Sequence, residues 1–262
     1  MITNYIQCEF MLTRLTLVTA NGICNRLRTI ASARRLCTQF GAECRVVWSW
    51  GEFEEFFSYP ADVMFISECR GESQMAIRHT PLFKSVDVTK NDIIVHSVYI
   101  FWGSHEAPID YSDIKNYIPS LNSSLETIVN QFSKQFINNV VGFHIRRTDS
   151  SASLKHSPDI LFLDQAKQTI ESGKKIFLST DNIETEKQFI KLFPNDLLIY
   201  PKRCKLKRRW PRAFNKAYTE DDLIDLFLLG RSEYVLGSSW SSFSSLAMTL
   251  NGSSQCKILR CP

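Results

Sequence analysis

Short β-rich runs alternate with segments whose apolar residues recur at helical spacing along most of this chain, an order that few folds accommodate. RLTLVT (14–19) is a strand, ANGICN a turn, and RLRTIASARRLCTQFG (26–41) a helix closing on Gly41 as its C-cap. ECRVVWSW (43–50) is the next strand, so the order is β-turn-α-β, the mark of a parallel sheet with right-handed crossovers. VMFIS fits a strand, and DIIVHSVYIFW (92–102) is a full one. GSHEAPIDYSDIKNYIP (103–119), with two prolines and few periodic apolar residues, reads as an interdomain linker.

A second series begins with the helix SLNSSLETIVNQFSKQF (120–136), which opens on Ser/Asn capping chemistry. NNVVGFHIRRT is a strand, DILFLDQAKQTIES a helix ending at Gly173, and KKIFLSTD a strand. ETEKQFIKLF is a helix stopped by Pro194, and DLLIY a strand. EDDLIDLFLLGRS is a helix, EYVLGSS a strand and SSFSSLAMTLNG a last helix. The expected architecture is α/β, with two small Rossmann-like domains facing across a cleft. Residues 1–115 form the first domain and 116–262 the second, with a hinge in 103–119.

With 262 residues, 44% hydrophobic and 22% charged, the chain has an ordinary globular composition and material for two domains. A net charge of +4 welcomes an anionic ligand without demanding nucleic acid. No run of 18 apolar residues suggests a membrane span, and MITNYIQCEFMLTRLTLVTANG lacks the layout of a secretion signal. A cytoplasmic or otherwise soluble chain is expected. The eight cysteines are scattered without a CxxC pair, which argues for thiols rather than a zinc site; Cys256 and Cys261 would bridge only in an oxidising lumen. Asn122-Ser-Ser and Asn251-Gly-Ser fit the glycosylation sequon, which matters only for a secreted chain.

Chemistry concentrates where strands end. In Val140-Val-Gly-Phe-His144-Ile-Arg146-Arg147-Thr148-Asp149, a buried strand runs into a histidine, two arginines and an aspartate. Its carboxyl end is the edge where open α/β sheets bind ligands. Period-two alternation puts His144 and Arg146 on one face and Arg147 on the other. A guanidinium offers phosphate a planar fork that stays charged, and Asp149 can orient an arginine or cap the segment after it. Gly237-Ser-Ser-Trp-Ser241-Ser242-Phe243-Ser244-Ser245 supplies hydroxyls and open N–H groups where a strand meets a helix. KIFLSTDN ends its strand in Thr180-Asp181 on the same edge. In the first half, Asn21-Gly22-Ile23-Cys24-Asn25-Arg26 forms a strand-to-helix turn able to hold an anion, though it lacks the three glycines of the dinucleotide fingerprint.

Taken in order, NGICNRL, HIRRTD, STDN with KLFPN, YTE, DLFLLGRSEY and SSFSS resemble segments of the fucosyltransferase-like glycosyltransferases. That group comprises the α1,6-fucosyltransferases, the rhizobial nodulation fucosyltransferase and the protein O-fucosyltransferases. The resemblance implies a GT-B fold and an inverting, metal-independent transfer, most often from GDP-fucose, to a glycan acceptor. It implies that Arg146 stabilises the leaving diphosphate and that His144 and Asp225 meet the nucleoside. It also gives Ser242 and Ser244 to phosphate and Asn25 and Arg26 to donor binding from the first domain. Asn21, Gly22, Asp149, Thr180, Asp181, Ser241 and Phe243 complete the expected donor site. Where the family often has Lys after HxRRTD, this chain has Ser150.

Rival readings are a related transferase using UDP-xylose or GDP-mannose and a non-catalytic nucleotide-sugar or glycan-binding module. A third is a nucleic-acid binder acting through KRCKLKRRWPR (202–212), a stretch more simply read as a solvated charge run. Trp48, Trp50, Phe53, Phe56 and Phe57 could wall a sugar site, but core packing explains such density. His79, His96 and His105 lack metal-ligand spacing and no DxD segment occurs, so no metal or cofactor is expected beyond the nucleotide-sugar co-substrate. For the catalytic base, Glu52, Glu54, Asp62 and Asp110 remain equally open.

Overall fold

A computed structural model describes residues 12–69, 75–77, 85–136, 139–203 and 215–261. The chain divides into two compact units, Met1–Ser120 and Leu121–Pro262.

In the first unit the strands are β1 (Arg14–Thr19), β2 (Glu43–Val47), β3 (Met64–Ile66), β4 (Met75–Ile77), β5 (Ser85–Val86), β6 (Asp92–Ser97) and β7 (Trp102–Gly103). The helices are α1 (Ile23–Phe40) and the short α2 (Tyr111–Ile114). Five strands form a parallel sheet in the order β3-β2-β1-β6-β4, while β5 and β7 pair separately. α1 ends as its sequence demands, because Gly41 takes a left-handed φ of 63° and closes the last carbonyls.

Two expectations are corrected here. The strand over 92–102 stops at Ser97, whose hydroxyl accepts from the Tyr99 N–H and donates to the Tyr99 carbonyl, turning the chain. Residues 103–119 are not a linker. Arg35 grips Glu106 at 2.6 Å, Arg34 donates to the Tyr117 carbonyl, and Asp110 caps α2 with Ile114 buried beneath.

The second unit contains α3 (Ser123–Ser133), β8 (Val140–Ile145), α4 (Ser151–His156), α5 (Asp159–Glu171), β9 (Lys175–Thr180), α6 (Ile183–Leu192), β10 (Leu197–Leu198), α7 (Lys216–Arg231), β11 (Val235–Ser238), α8 (Ser242–Asn251) and β12 (Lys257–Leu259). Among the described residues its five strands are parallel in the order β10-β9-β8-β11-β12. All six residues of β8 are buried, as expected of a central strand covered on both faces. Val141, Phe143 and Ile145 enter a core with Phe162, Ala166, Ile176, Leu178 and Phe189, each large side chain contributing about 1.5–3 kcal/mol by burial. The other face must admit helices closely. A Cβ on Gly142 would meet Ser232 Oγ at 2.6 Å, and one on Gly237 would meet the Ser244 Cβ at 2.6 Å.

The chain winds outward from β8 to β10 and then returns beside β8 as β11. The strand order therefore reverses between β8 and β11, the position whose carboxyl edge binds ligands in open α/β sheets. The first sheet reverses likewise between β1 and β6. Among the described residues no helix is long and apolar enough to cross a membrane, and Cys256 and Cys261 are thiols rather than a bridge. Both sequon asparagines are engaged: Asn122 caps α3, and Asn251 donates to the Ser232 carbonyl.

Candidate functional site

The second unit's reversal point gathers side chains from β8, β9, α7 and the start of α8. His144, the fifth residue of β8, faces α8. Its Nδ1 lies 2.7 Å from Ser244 Oγ, and its ring stacks on Phe243 at 4.5 Å and 18°. Burial, then the charges of Arg146, Lys202 and Arg147, push its pKa down to about 3, so the imidazole is neutral at physiological pH.

One step further, β8 ends and Arg146 begins the loop. Its backbone N–H donates to Ser238 Oγ at 3.0 Å. Its guanidinium donates to Asp149 Oδ1 at 2.8 Å and to the Trp240 carbonyl at 3.2 Å. Asp149 thus orients Arg146, one of the two roles open to it. Arg147 turns the other way, toward α5, where it pairs with Asp159 at 2.6 Å and lies over the Phe162 ring. Pleat alternation therefore carries past the strand end.

Thr180 and Asp181, at the end of β9, spend their polar atoms on the protein. The Asp181 carboxylate accepts from the backbone N–H groups of Arg147 and Thr148 and from the Thr148 hydroxyl. Thr180 donates to the Ile145 carbonyl at 2.8 Å. Together they hold the 146–149 loop.

Asp225, on α7, is buried. Its Oδ2 accepts from Ser179 and pairs with Lys202 Nζ, each at 2.8 Å, while its buried Oδ1 has no hydrogen-bond partner. Burial pushes the Asp225 carboxyl above the usual carboxylate range, against the pull of Lys202 and Ser179. Lys202 is held above the ordinary lysine value because Asp225 outweighs the effect of burial.

Lys202 is a residue that sequence reasoning missed by assigning 202–212 to a solvated run. Lys202 also donates to the Thr180 carbonyl, and Arg203 pairs with Glu220 and Asp221. The acidic face of α7, with Asp221 and Asp225, was the available signal. Residues 204–212 of that stretch lie outside the described residues, as do His79, Cys8 and Cys204.

The α8 start is built from serines. Ser241 is buried and caps the helix by accepting from the Ser244 N–H. Ser242 opens the helix half-buried, and Ser244 is occupied with His144. Trp240 precedes them at φ 55°, a left-handed conformation costing a bulky residue roughly 1–2 kcal/mol.

Asn21, Gly22, Asn25 and Arg26 lie in the first unit, at the carboxyl end of β1. Asn21 takes φ 63°, and Gly22 is the extended N-cap of α1. Arg26 is buried. It donates to the Asn21 carbonyl and the Thr19 hydroxyl and lies over Trp50 and Trp48 at 4.9 and 5.5 Å; burial lowers its pKa to about 10. Asn25 keeps a buried Oδ1 without a partner. Phe53, Phe56 and Phe57 are core residues. Among the open candidates for a base, Glu54 binds Tyr59, Asp62 binds Arg34 and Asp110 caps α2.

No protein-family model matches the chain, and no curated protein matches it. Solved structures do. The NodZ alpha-1,6-fucosyltransferase soaked with GDP-fucose, an enzyme of Bradyrhizobium, gives a TM-score of 0.63 at 18% identity, over 91% of this chain and 92% of that one. An Arabidopsis thaliana FUT1 variant in complex with GDP gives 0.62 at 10% identity, over 94% of this chain and 69% of that one. POFUT1 in complex with GDP gives 0.55 at 11% identity, over 95% and 97%. The strand order, the parallel sheets and these likenesses together establish that this chain has the GT-B fold of the fucosyltransferases.

Proposed function

We propose that the protein is a metal-independent, inverting glycosyltransferase that moves fucose from GDP-fucose onto a hydroxyl of a glycan acceptor. The observation that carries this reading is Arg146. It is a guanidinium fixed at the carboxyl edge of β8 by Asp149 and by the Trp240 carbonyl, beside the N-terminus of α8. When the bond from the anomeric carbon to the diphosphate breaks, the electron pair stays on the leaving oxygen. A fixed cation and an open helix start stabilise that charge with no reorganisation. The acceptor oxygen attacks the opposite face of the anomeric carbon and gives up its proton to a base.

In this reading the unpartnered Asp225 Oδ1 is the acceptor for a guanine N–H edge, and neutral His144 lines the nucleoside. Ser242 offers its hydroxyl to phosphate, with Ser241 and Phe243 framing it. Ser244 acts through His144, while Thr180 and Asp181 hold the loop. In the first unit, Asn21, Gly22 and Arg26 shape the turn at the carboxyl end of β1, where the buried Asn25 Oδ1 is an acceptor without a hydrogen-bond partner. Among the described residues no group of three metal-ligating side chains occurs.

The deciding experiment is nucleotide release from GDP-fucose, GDP-mannose and UDP-xylose, each with and without EDTA. GDP release from GDP-fucose, undiminished by EDTA, is expected. Binding of all three without release would make the protein a binding module. Loss in EDTA restored by Mn²⁺ would refute metal independence.

A further inference from the structure

Trp240 is 72% exposed, the most exposed large hydrophobic side chain among the described residues. It also adopts the left-handed backbone conformation that bulky residues rarely take. Both neighbours are pinned. The Ser239 N–H donates to Ser157 Oγ at 2.8 Å and its carbonyl accepts from Ser153 Oγ at 2.6 Å, while Ser241 is the buried cap of α8. The Trp240 carbonyl itself accepts from Arg146 at 3.2 Å. A large apolar ring is thus presented to solvent from a backbone that cannot easily turn it away, its own carbonyl held by the guanidinium assigned to the diphosphate. Strain held in place by surrounding hydrogen bonds is a mark of functional positions.

We propose that Trp240 is the stacking surface for a pyranose ring of the acceptor glycan. The assignment of that ring to an acceptor rests on the transferase reading above. An indole offers a flat apolar face against which the C–H face of a sugar ring can pack. The exposure decides between the two sugars of the reaction. The groups suited to a donor, His144, Ser244 and Asp225, are buried, whereas an oligosaccharide passing over the surface needs an open platform. The backbone φ adds a second consequence. Glycine takes a left-handed φ without strain, so replacing Trp240 by glycine removes the recognition surface while relieving the backbone.

The test measures oligosaccharide binding by saturation-transfer NMR and titration without any donor present. It uses tetrasaccharides ending in glucose, galactose, mannose or N-acetylglucosamine, with GDP affinity and melting temperature read in parallel. At least one tetrasaccharide should bind the native protein and saturate from indole protons. In Trp240→Gly that affinity should fall roughly tenfold or more, with GDP affinity unchanged and the melting temperature equal or higher. Trp240→Tyr should retain most of the binding, and Trp240→Asn, which tolerates the same backbone, should repeat the glycine result. Glycan affinity unchanged in Trp240→Gly and Trp240→Asn would overturn the proposal. So would binding of no tetrasaccharide, or a fall in GDP affinity equal to the fall in glycan affinity. Absence of GDP binding by the native protein would instead overturn the transferase reading, and the glycan measurements would still judge Trp240.

Discussion

The imidazole of His144 is held between two residues of a single helix, with Ser244 Oγ 2.7 Å from Nδ1 and the Phe243 ring stacked on its face. A buried imidazole with three cations near it stays neutral, and its pKa drops from 6.5 to about 3. Between those values the unfolded chain takes up a proton that the folded chain refuses. Stability from this group is therefore complete above about 6.5 and is lost as pH falls toward 3, at up to ~1.4 kcal/mol per pH unit. Native protein should show a larger drop in melting temperature between pH 7.5 and pH 4.5 than His144→Gln does. Equal drops in the two proteins would show that His144 does not govern the acid limb.

The two adjacent arginines should separate by function. If the transferase reading holds, Arg146→Ala should lower kcat/KM by on the order of 10²–10³, since charge developing on the departing nucleotide would lose its partner. Arg146→Lys should rescue little, because an ammonium cannot reproduce the planar fork. Arg147 faces Asp159 and Phe162 with a nearly buried side chain, so Arg147→Ala should cost about 1–3 kcal/mol of stability and leave turnover largely intact. Melting and turnover of both variants decide the matter. A dead but stable Arg147→Ala beside an active Arg146→Ala would reverse the assignment.

The pair Lys202–Asp225 allows structure to be told apart from ligand binding. Lys202→Met alone strands a buried carboxylate, at a cost of about 3–5 kcal/mol. Adding Asp225→Leu removes that charge, and much of the stability should return. If Asp225 Oδ1 accepts from the guanine edge as proposed, GDP affinity should not return, because that atom has gone with the carboxylate. Calorimetric GDP binding by the double variant is the measurement, and normal affinity there would remove Asp225 from the donor site.

Much of this was legible in the chain because local chemistry and fold agreed. β8 is a run of aliphatic and aromatic residues covered on both faces, and its charged tail falls at the sheet edge. The division of Arg146 and Arg147 between opposite sides follows from pleat alternation alone. What was not legible depended on partners far away in sequence. Residues 103–119 look like a linker until Arg34 and Arg35 of α1 reach Tyr117 and Glu106. Lys202 is hidden in a basic run, and its ion-pairing role appears only once the buried Asp225 on α7 is placed beside it. The helix α4, six residues capped by Ser150, is too short to show a period. Trp240 gave no signal at all, since nothing in its neighbours predicts a left-handed backbone.

The approach of α8 to β11 is set by Gly237, and this gives the most local prediction. A methyl group there would lie 2.6 Å from the Ser244 Cβ, 2.7 Å from its Oγ and 3.0 Å from the Met248 Cε. Met248 can bend away, but the Ser244 Cβ is fixed to a helix backbone and cannot. Gly237→Ala must therefore push the first turn of α8 outward, at a cost of about 1–3 kcal/mol. That turn carries the hydroxyl on His144 and the phenyl ring stacked against it, so the displacement should raise the Kd for GDP more than ordinary overpacking would. Gly142→Ala is the control, since its Cβ would meet Ser232 and Leu229 at the end of α7 instead. Both variants should lose stability, but only Gly237→Ala should lose GDP affinity by roughly tenfold, the equivalent of one ~1.4 kcal/mol contact. Equal affinities in the two variants would show that the α8 start does not contact the nucleotide.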